Sequence, residues 1–563
     1  MRLNRSLLAL ALAAQLAAPA AQAGVSGAYL AARHASFDSD FITAAEYFAR
    51  ALTLDPTNAG LMEALISADV NAGWCDRAFP VARRMVDAGF NSQVAGMVLL
   101  SHYASEGDFD RILDDFDKGQ SVGALLDGLS LAWARLGAGQ VSAALEMFDK
   151  VSNEQGLKSF ALYHKALALA SVGDFEGADD ILSGRARGPL QVSRRGVLAH
   201  VQVLSQLDRN DDALELINAA FGPNLAEVFA ALAQDLQAGK QVPFTLTTDA
   251  TQGIAEVFHS VASALVGEAA DVYTLIYTRL AICLNPNNID ALLLSASLLE
   301  DMEQYDLATR AYDKVPRSHP AFVAAEIGRA DALYSADRHE EAVEVMRQLA
   351  EAFPEQLQVQ TRLADMLRRL DRHAEAEPVY TRALDLIGTP DENHWVLYFS
   401  RGITRERTGA WDNAEADFRM ALKLRPEQPQ VLNYLGYSMV EMRTNLDEAL
   451  DMIERAVAGR PDDGYITDSL GWVLYRMGRY DEAVGPMEHA TELMPTDPII
   501  NDHLGDVYWA VGRRTEARFQ WRRALSFGPE DKEADRIRRK LEVGLDTVLS
   551  EEGADPLAIA KDG

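Results

Sequence analysis

Apolar residues along this chain follow two nested periods. Locally they fall at i, i+3, i+4 and i+7, the spacing of one helix face. On a longer scale the same residue types return every 34 positions. Leu470-Gly471, Leu474, Ala483, Met487, Ala490 and Pro495 are followed by Leu504-Gly505, Tyr508, Ala517, Trp521, Ala524 and Pro529. Upstream, Leu435-Gly436, Ala449, Ala456 and Pro461 keep the pattern with one extra residue near Asn445. Gly402, Ala414, Phe418, Ala421 and Pro426 keep it again, as do Leu363, Ala376, Tyr380 and Ala383. Fainter copies carry Ala342, Met346 and Pro354, then Ala308, Tyr312 and Pro320, then Ala281 and Pro286. The spacing predicts about eight units over 253–530, each of two antiparallel helices. Small residues mark where the two helices cross, large apolar residues fill the gap, and the proline ends the second helix.

The N-terminal part is less regular. Ala44, Phe48, Ala51 and Pro56 mark one clear unit, and Ala144, Phe148, Ala178 and Ala213 mark later second helices. Roughly six degenerate units fit over 24–239. Residues 240–252 are Thr-rich and lack a helical period, so they are expected to form an extended break between two solenoid blocks. Near the other end Ile537, Leu541, Leu545, Val548 and Leu549 share one stripe, which predicts a capping helix over 531–549. Residues 550–563 read as a flexible tail.

The repeat resembles the tetratricopeptide repeat (TPR), whose W-x2-L-G-x2-Y…A-x3-F…P pattern has the same length. That resemblance implies an all-α fold, a right-handed superhelical solenoid of antiparallel helix pairs. Two strings are more specific, Asp468-Ser-Leu-Gly-Trp-Val-Leu-Tyr-Arg-Met-Gly-Arg479 and His503-Leu-Gly-Asp-Val-Tyr-Trp-Ala-Val-Gly-Arg513. With Asn433-Tyr-Leu-Gly-Tyr437 they resemble a bacterial family of envelope TPR proteins, over about residues 395–530. That family includes lipoprotein adaptors that bring substrates to a carboxy-terminal processing protease. Unlike those lipoproteins, this chain has no cysteine near its cleavage site.

The cleavage site itself belongs to residues 1–23. Arg2 and Arg5 precede a Leu/Ala-rich stretch that ends in Ala21-Gln22-Ala23, the three-part pattern of a secretory signal peptide. This predicts a soluble periplasmic or secreted protein with no lipid anchor. No later apolar run approaches the length of a membrane span. Cys75 and Cys283 lie 208 residues apart, about six units of a solenoid in which each unit touches only its neighbours, so they are expected to be free thiols.

Charge narrows the partners. Lys and Arg number 53 against 84 Asp and Glu, giving a net charge of −31 and no basic patch for nucleic acid. Zinc-protease, nucleophile-elbow, P-loop and dinucleotide motifs are all missing. The chain is therefore expected to be non-catalytic, with no cofactor and no metal. In a solenoid of this kind first helices line the groove. Counting from the Leu-Gly landmarks, the groove-facing stripe is Phe399, then Asn433 and Tyr437, then Asp468, Trp472 and Tyr475, then Asp502, Asp506 and Trp509. These aromatics can anchor a peptide or pack between helices. The expected function is a scaffold that binds protein or peptide partners, in its sharper form an adaptor for an envelope protease or cell-wall enzyme. A structural role in an export or polysaccharide assembly complex is the alternative, and an enzyme with an unrecognised site is the remaining class. Edman sequencing of the chain isolated from an envelope fraction is expected to start at or near Gly24; a retained Met1 overturns the signal reading.

Overall fold

In a computed structural model the described residues are 25–554, apart from 189–192, 223, 224 and 226. The expected signal segment and residues 555–563 of the expected tail lie outside them. Among the described residues there are 31 α-helices, one 3-10 turn at Glu392–His394 and no strand. Six antiparallel pairs run from Val25–Phe37 with Phe41–Leu54 to Arg194–Gln206 with Asn210–Phe221. A single helix, Glu227–Gln237, follows. Next comes the pair Ala250–Leu265 and Asp271–Leu284, then seven pairs from Ile289–Asp301 with Tyr305–Tyr312 to Pro498–Ala510 with Arg514–Ser526. Asp531–Val543 and Leu545–Glu551 close the chain. Over the described residues the fold is all-α, built of antiparallel helix pairs.

Local chemistry sets the units. Asp40, Asn58 and Asp497 cap helix starts, their side chains accepting from Thr43, Leu61 and Ile500 backbone N–H groups. First helices end on a residue of positive φ, as at Ser39, Gly73 and Gly107, and again at Glu303, Asp337 and Asp371. The 34-residue spacing of these left-handed positions is the repeat seen from the backbone. Within a unit a glycine of the first helix receives a large residue of the second. A Cβ on Gly471 would sit 2.5 Å from Met487 Cγ, and one on Gly505 2.5 Å from Trp521 Cδ1.

The chain divides into two compact units at Leu349 and Ala350. In the first, the 240–252 stretch does not separate two blocks. It runs along the first helix Arg194–Gln206, which grips it with side chains. Ser205 Oγ accepts the Val242 N–H at 2.8 Å and Gln206 donates to the Val242 carbonyl at 2.7 Å. Gln202 accepts the Thr245 N–H and donates to the Thr245 hydroxyl, both at 3.0 Å.

This strap delivers the pair 250–284 back onto the row of first helices. Ile254, Val257, Phe258, Leu275 and Leu280 are fully buried there. Gly253 sits on the Trp133 indole, where a Cβ would come within 2.2 Å. Thr251 donates to the Ala104 carbonyl, Tyr163 and Arg195 bind Glu256, and Gln93 meets both Tyr273 and Tyr277. Beyond the returning pair, Leu298, Leu299 and Leu307 pack with Phe41 and Ala72, so the array closes on its own beginning.

The closure corrects the expectation of free thiols. Cys75 and Cys283 form a disulfide, their Cα atoms 6.7 Å apart. A linear array would hold them about six units apart; the returning pair brings its last turn to the start of helix Cys75–Asp87. At 208 residues, the loop-entropy argument gives a stabilisation of about 5 kcal/mol as an upper figure. Thiol counting on denatured, unreduced protein is expected to find none. Reduction is expected to lower the melting transition of the first unit and leave that of the second in place by calorimetry.

Candidate protein-binding groove

The expected groove residues all lie on first helices of four consecutive pairs in the second unit: Trp395–Arg407, Pro429–Glu441, Gly464–Arg476 and Pro498–Ala510. Their surroundings change along the row. Phe399 is half-buried and meets Trp395, Phe418 and Tyr434 with ring centroids 6.0, 5.9 and 5.7 Å away. Asn433 and Tyr437 are also half-buried. The Asn433 side-chain carbonyl is buried without a hydrogen-bond partner. Burial pushes the Tyr437 hydroxyl well above its ordinary range, as do Glu441 and Asp468 beside it.

One repeat on, the stripe is packed. Trp472 is 7 % exposed and lies parallel to the His503 imidazole at 3.9 Å and to the Tyr475 ring at 4.9 Å. Its indole N–H donates to Glu441 at 2.7 Å. Asp468 is paired with His503 Nδ1 at 3.0 Å. Thus the partner of His503 is a carboxylate of the preceding repeat, not its neighbour Asp502. Burial disfavours the imidazolium, but Asp468 and then Asp502 outweigh it, so the His503 pKa stands above its ordinary 6.5.

The last repeat is covered by the chain's own end. Lys540, fully buried, donates to both Asp502 and Asp506 at 2.6–2.9 Å. Arg536 approaches the same pair at 3.6–3.9 Å, and the Trp521 indole donates to Asp506 at 2.9 Å. Burial raises the Asp502 carboxyl above its usual range, against the pull of Lys540. Trp509 donates to Asp546 at 3.0 Å and lies under Gly544, where a Cβ would meet its ring at 2.7 Å. Arg536 and Lys540 stand 34 residues after Asp502 and Asp506. The cap therefore continues the repeat register with the stripe's charge reversed. That spacing was available in the sequence, and it would have identified the Lys540 contacts.

Among the described residues no group of three or more His, Cys, Asp or Glu side chains could hold a metal ion. No described helix is long and apolar enough to cross a membrane.

Residues 355–427, and separately 293–356 and 443–498, match the Tetratricopeptide repeat family. These stretches carry tetratricopeptide repeats, about a third of the chain. It is 28 % identical over 181 residues to TPR repeat-containing protein PA4667 of Pseudomonas aeruginosa, covering 31 % of this chain and 30 % of that protein. The chain thus spans less than a third of that relative. Among solved structures, it is similar to a chain of the Cut9–Hcn1 assembly, described as an APC/C hetero-tetramer, at 14 % identity and a TM-score of 0.36, covering 96 % of this chain and 99 % of that one. It is similar to yeast Tom70 at 14 % identity and a TM-score of 0.34, covering 94 % and 98 %.

The buried groups set two expected outcomes. Lys540→Met strands two buried carboxylates and is expected to cost the second unit about 3–5 kcal/mol by denaturant titration. The raised His503 pKa contributes stability that is present below pH 6.5 and lost as pH rises through the folded-state value. The melting temperature of the second unit should fall across that window, and His503→Gln should flatten the fall.

Proposed function

We propose that this chain is a protein-binding scaffold of the bacterial envelope that holds an extended peptide segment of its partner against the open part of the groove, around Phe399, Asn433 and Tyr437. The TPR matches support a protein partner. The observation that carries the location is the unpartnered Asn433 carbonyl between two half-buried aromatics. A buried acceptor without a donor costs about 1–3 kcal/mol, which a backbone N–H of a bound peptide would recover. The chain uses this mode on itself: Gln202, on a first helix, takes the Thr245 N–H of an extended strap.

In this reading Asp468, Trp472, Tyr475, Asp502, Asp506 and Trp509 form the floor and the closed end of the groove. They act by holding Tyr437 and the adjacent first helices in place. The envelope location rests on the signal-type pattern of residues 1–23 and on the Cys75–Cys283 disulfide, which suits an oxidising compartment. An adaptor role for an envelope protease is the sharper form of the reading.

The test is co-isolation from an envelope extract with wild-type chain and with variants as bait. Phe399→Ala with Tyr437→Ala should keep most of the helical signal and weaken capture, about 2 kcal/mol or thirtyfold for each anchor lost. Trp472→Ala and Trp509→Ala should instead lower the melting temperature, at about 3–5 kcal/mol each, while the folded fraction still binds. Undiminished capture by a folded Phe399/Tyr437 double variant would move the site elsewhere.

A further inference from the structure

The seam under the returning helix Ala250–Leu265 holds two buried imidazoles, one from each side. His164, on the first helix Lys158–Ser171, is fully buried. Its Nδ1 accepts the Trp133 indole N–H at 3.1 Å. An indole nitrogen only donates, so His164 Nδ1 carries no proton while this bond lasts. The ring proton sits on Nε2, which is buried with no hydrogen-bond partner. An imidazolium would set a second N–H against the indole N–H. Trp133 in turn decides where the returning helix lands, because Gly253 rests on its ring. His259 belongs to the returning helix itself, and its Nδ1 is likewise buried without a partner.

Little in the seam would welcome a charge on either ring. Glu256, from the returning helix, favours both imidazolium forms, yet its carboxylate is already taken by Arg195 at 2.8 Å and the Tyr163 hydroxyl at 2.9 Å. Asp290, from helix Ile289–Asp301, favours a charge on His259, and Arg195, from helix Arg194–Gln206, opposes it. Burial outweighs these groups and lowers both rings, His164 to about 4. The stability that His164 lends is therefore complete above pH 6.5 and lost as pH falls toward about 4, the reverse of His503 in the second unit. Meanwhile the Cys75–Cys283 bond holds the end of the second helix of the pair.

We propose that helix Ala250–Leu265 is an acid-sensitive latch: protonation of His164 and His259 breaks the Trp133 contact and lifts this helix from the row of first helices, while the disulfide keeps the pair tethered. The buried nitrogens take up their protons from solvent as the seam opens, and the charged rings then hold it open. Neutral pH returns the rings to their unprotonated state and the helix to its seat.

Hydrogen–deuterium exchange of the full, oxidised chain from pH 8 to pH 5, corrected for the intrinsic exchange rate, tests this. Between pH 7 and pH 5 the opening of Ala250–Leu265 is expected to rise about twentyfold from His164 alone, and to level off above pH 6.5. Helices Phe41–Leu54 and Asn210–Phe221 of the same unit are expected to keep their protection. Glutamine retains a carbonyl for the Trp133 N–H but does not titrate, so His164→Gln with His259→Gln should leave Ala250–Leu265 equally protected at both pH values. The same rise in a folded double variant overturns the assignment to these rings. Equal loss in Phe41–Leu54 and Asn210–Phe221 would be general acid unfolding and would overturn the latch. If the double variant does not fold, the wild-type profile decides alone: no rise below pH 6.5, or no levelling above it, rejects the proposal.

Discussion

Every helix pair of this chain leaves an apolar flank that only another element can cover. Stacking solves the problem between neighbours and creates it again wherever stacking stops. The chain meets each such place with its own residues. In the first unit the pair 250–284 covers the row of first helices, with Phe258 and Leu280 fully buried. At the far end the helix Asp531–Val543 covers the last repeat with Ile537, helped by Leu545 and Val548. The same coverings bury polar groups, so each seam also needs pairing. Glu256 takes Arg195 and Tyr163, and Asp506 takes Lys540 and Trp521. Arg279 Nη2 and His259 Nδ1 are among the buried groups where that pairing is left open.

The parts of this fold that repeat were legible from residue spacing. Gly471 with Met487 and Gly505 with Trp521 announce a small-to-large crossing in each unit, and the structure uses both as such. The pair 250–284 was not legible as a lining element. Its Ala281 and Pro286 look like the end of another unit, and nothing in a helical period says which neighbour a helix will meet. The same blind spot produced the wrong expectation for Cys75 and Cys283. Separation along the chain measures distance only in an array that never turns back. Residues 240–249 lack helix as expected, whereas 250–252 already open the helix Ala250–Leu265, and an extended segment can join as readily as divide. Here Gln202 and Gln206 make it part of the first unit.

The groove stripe shows a related limit. Sequence register places Phe399, Tyr437, Trp472 and Trp509 in one row, and the structure keeps them on one row of first helices. Burial then separates them. Phe399 and Tyr437 stay half-buried, whereas Trp472 is stacked by His503 and Tyr475. Trp509 lies beneath Gly544 and Asp546. These differences come from residues one repeat away, so position within a repeat alone does not reveal them. The exception is the acid-to-base reversal from Asp502 and Asp506 to Arg536 and Lys540, which a 34-residue comparison exposes directly.

The return of 250–284 also orders events in time. A chain made N-terminus first grows at about 5–20 residues per second. The first helices that contact Phe258 and Tyr277 are therefore complete long before those residues exist. Between Cys75 and Cys283 the interval is about 10–40 s at that rate. Throughout it the apolar row is formed but uncovered, and a stacking array offers no neighbour able to shield it. A nascent chain of this design needs an outside holder for that interval, a chaperone or the transport machinery itself. The later repeats, covered by sequential stacking and a terminal cap, make no such demand until their last helix.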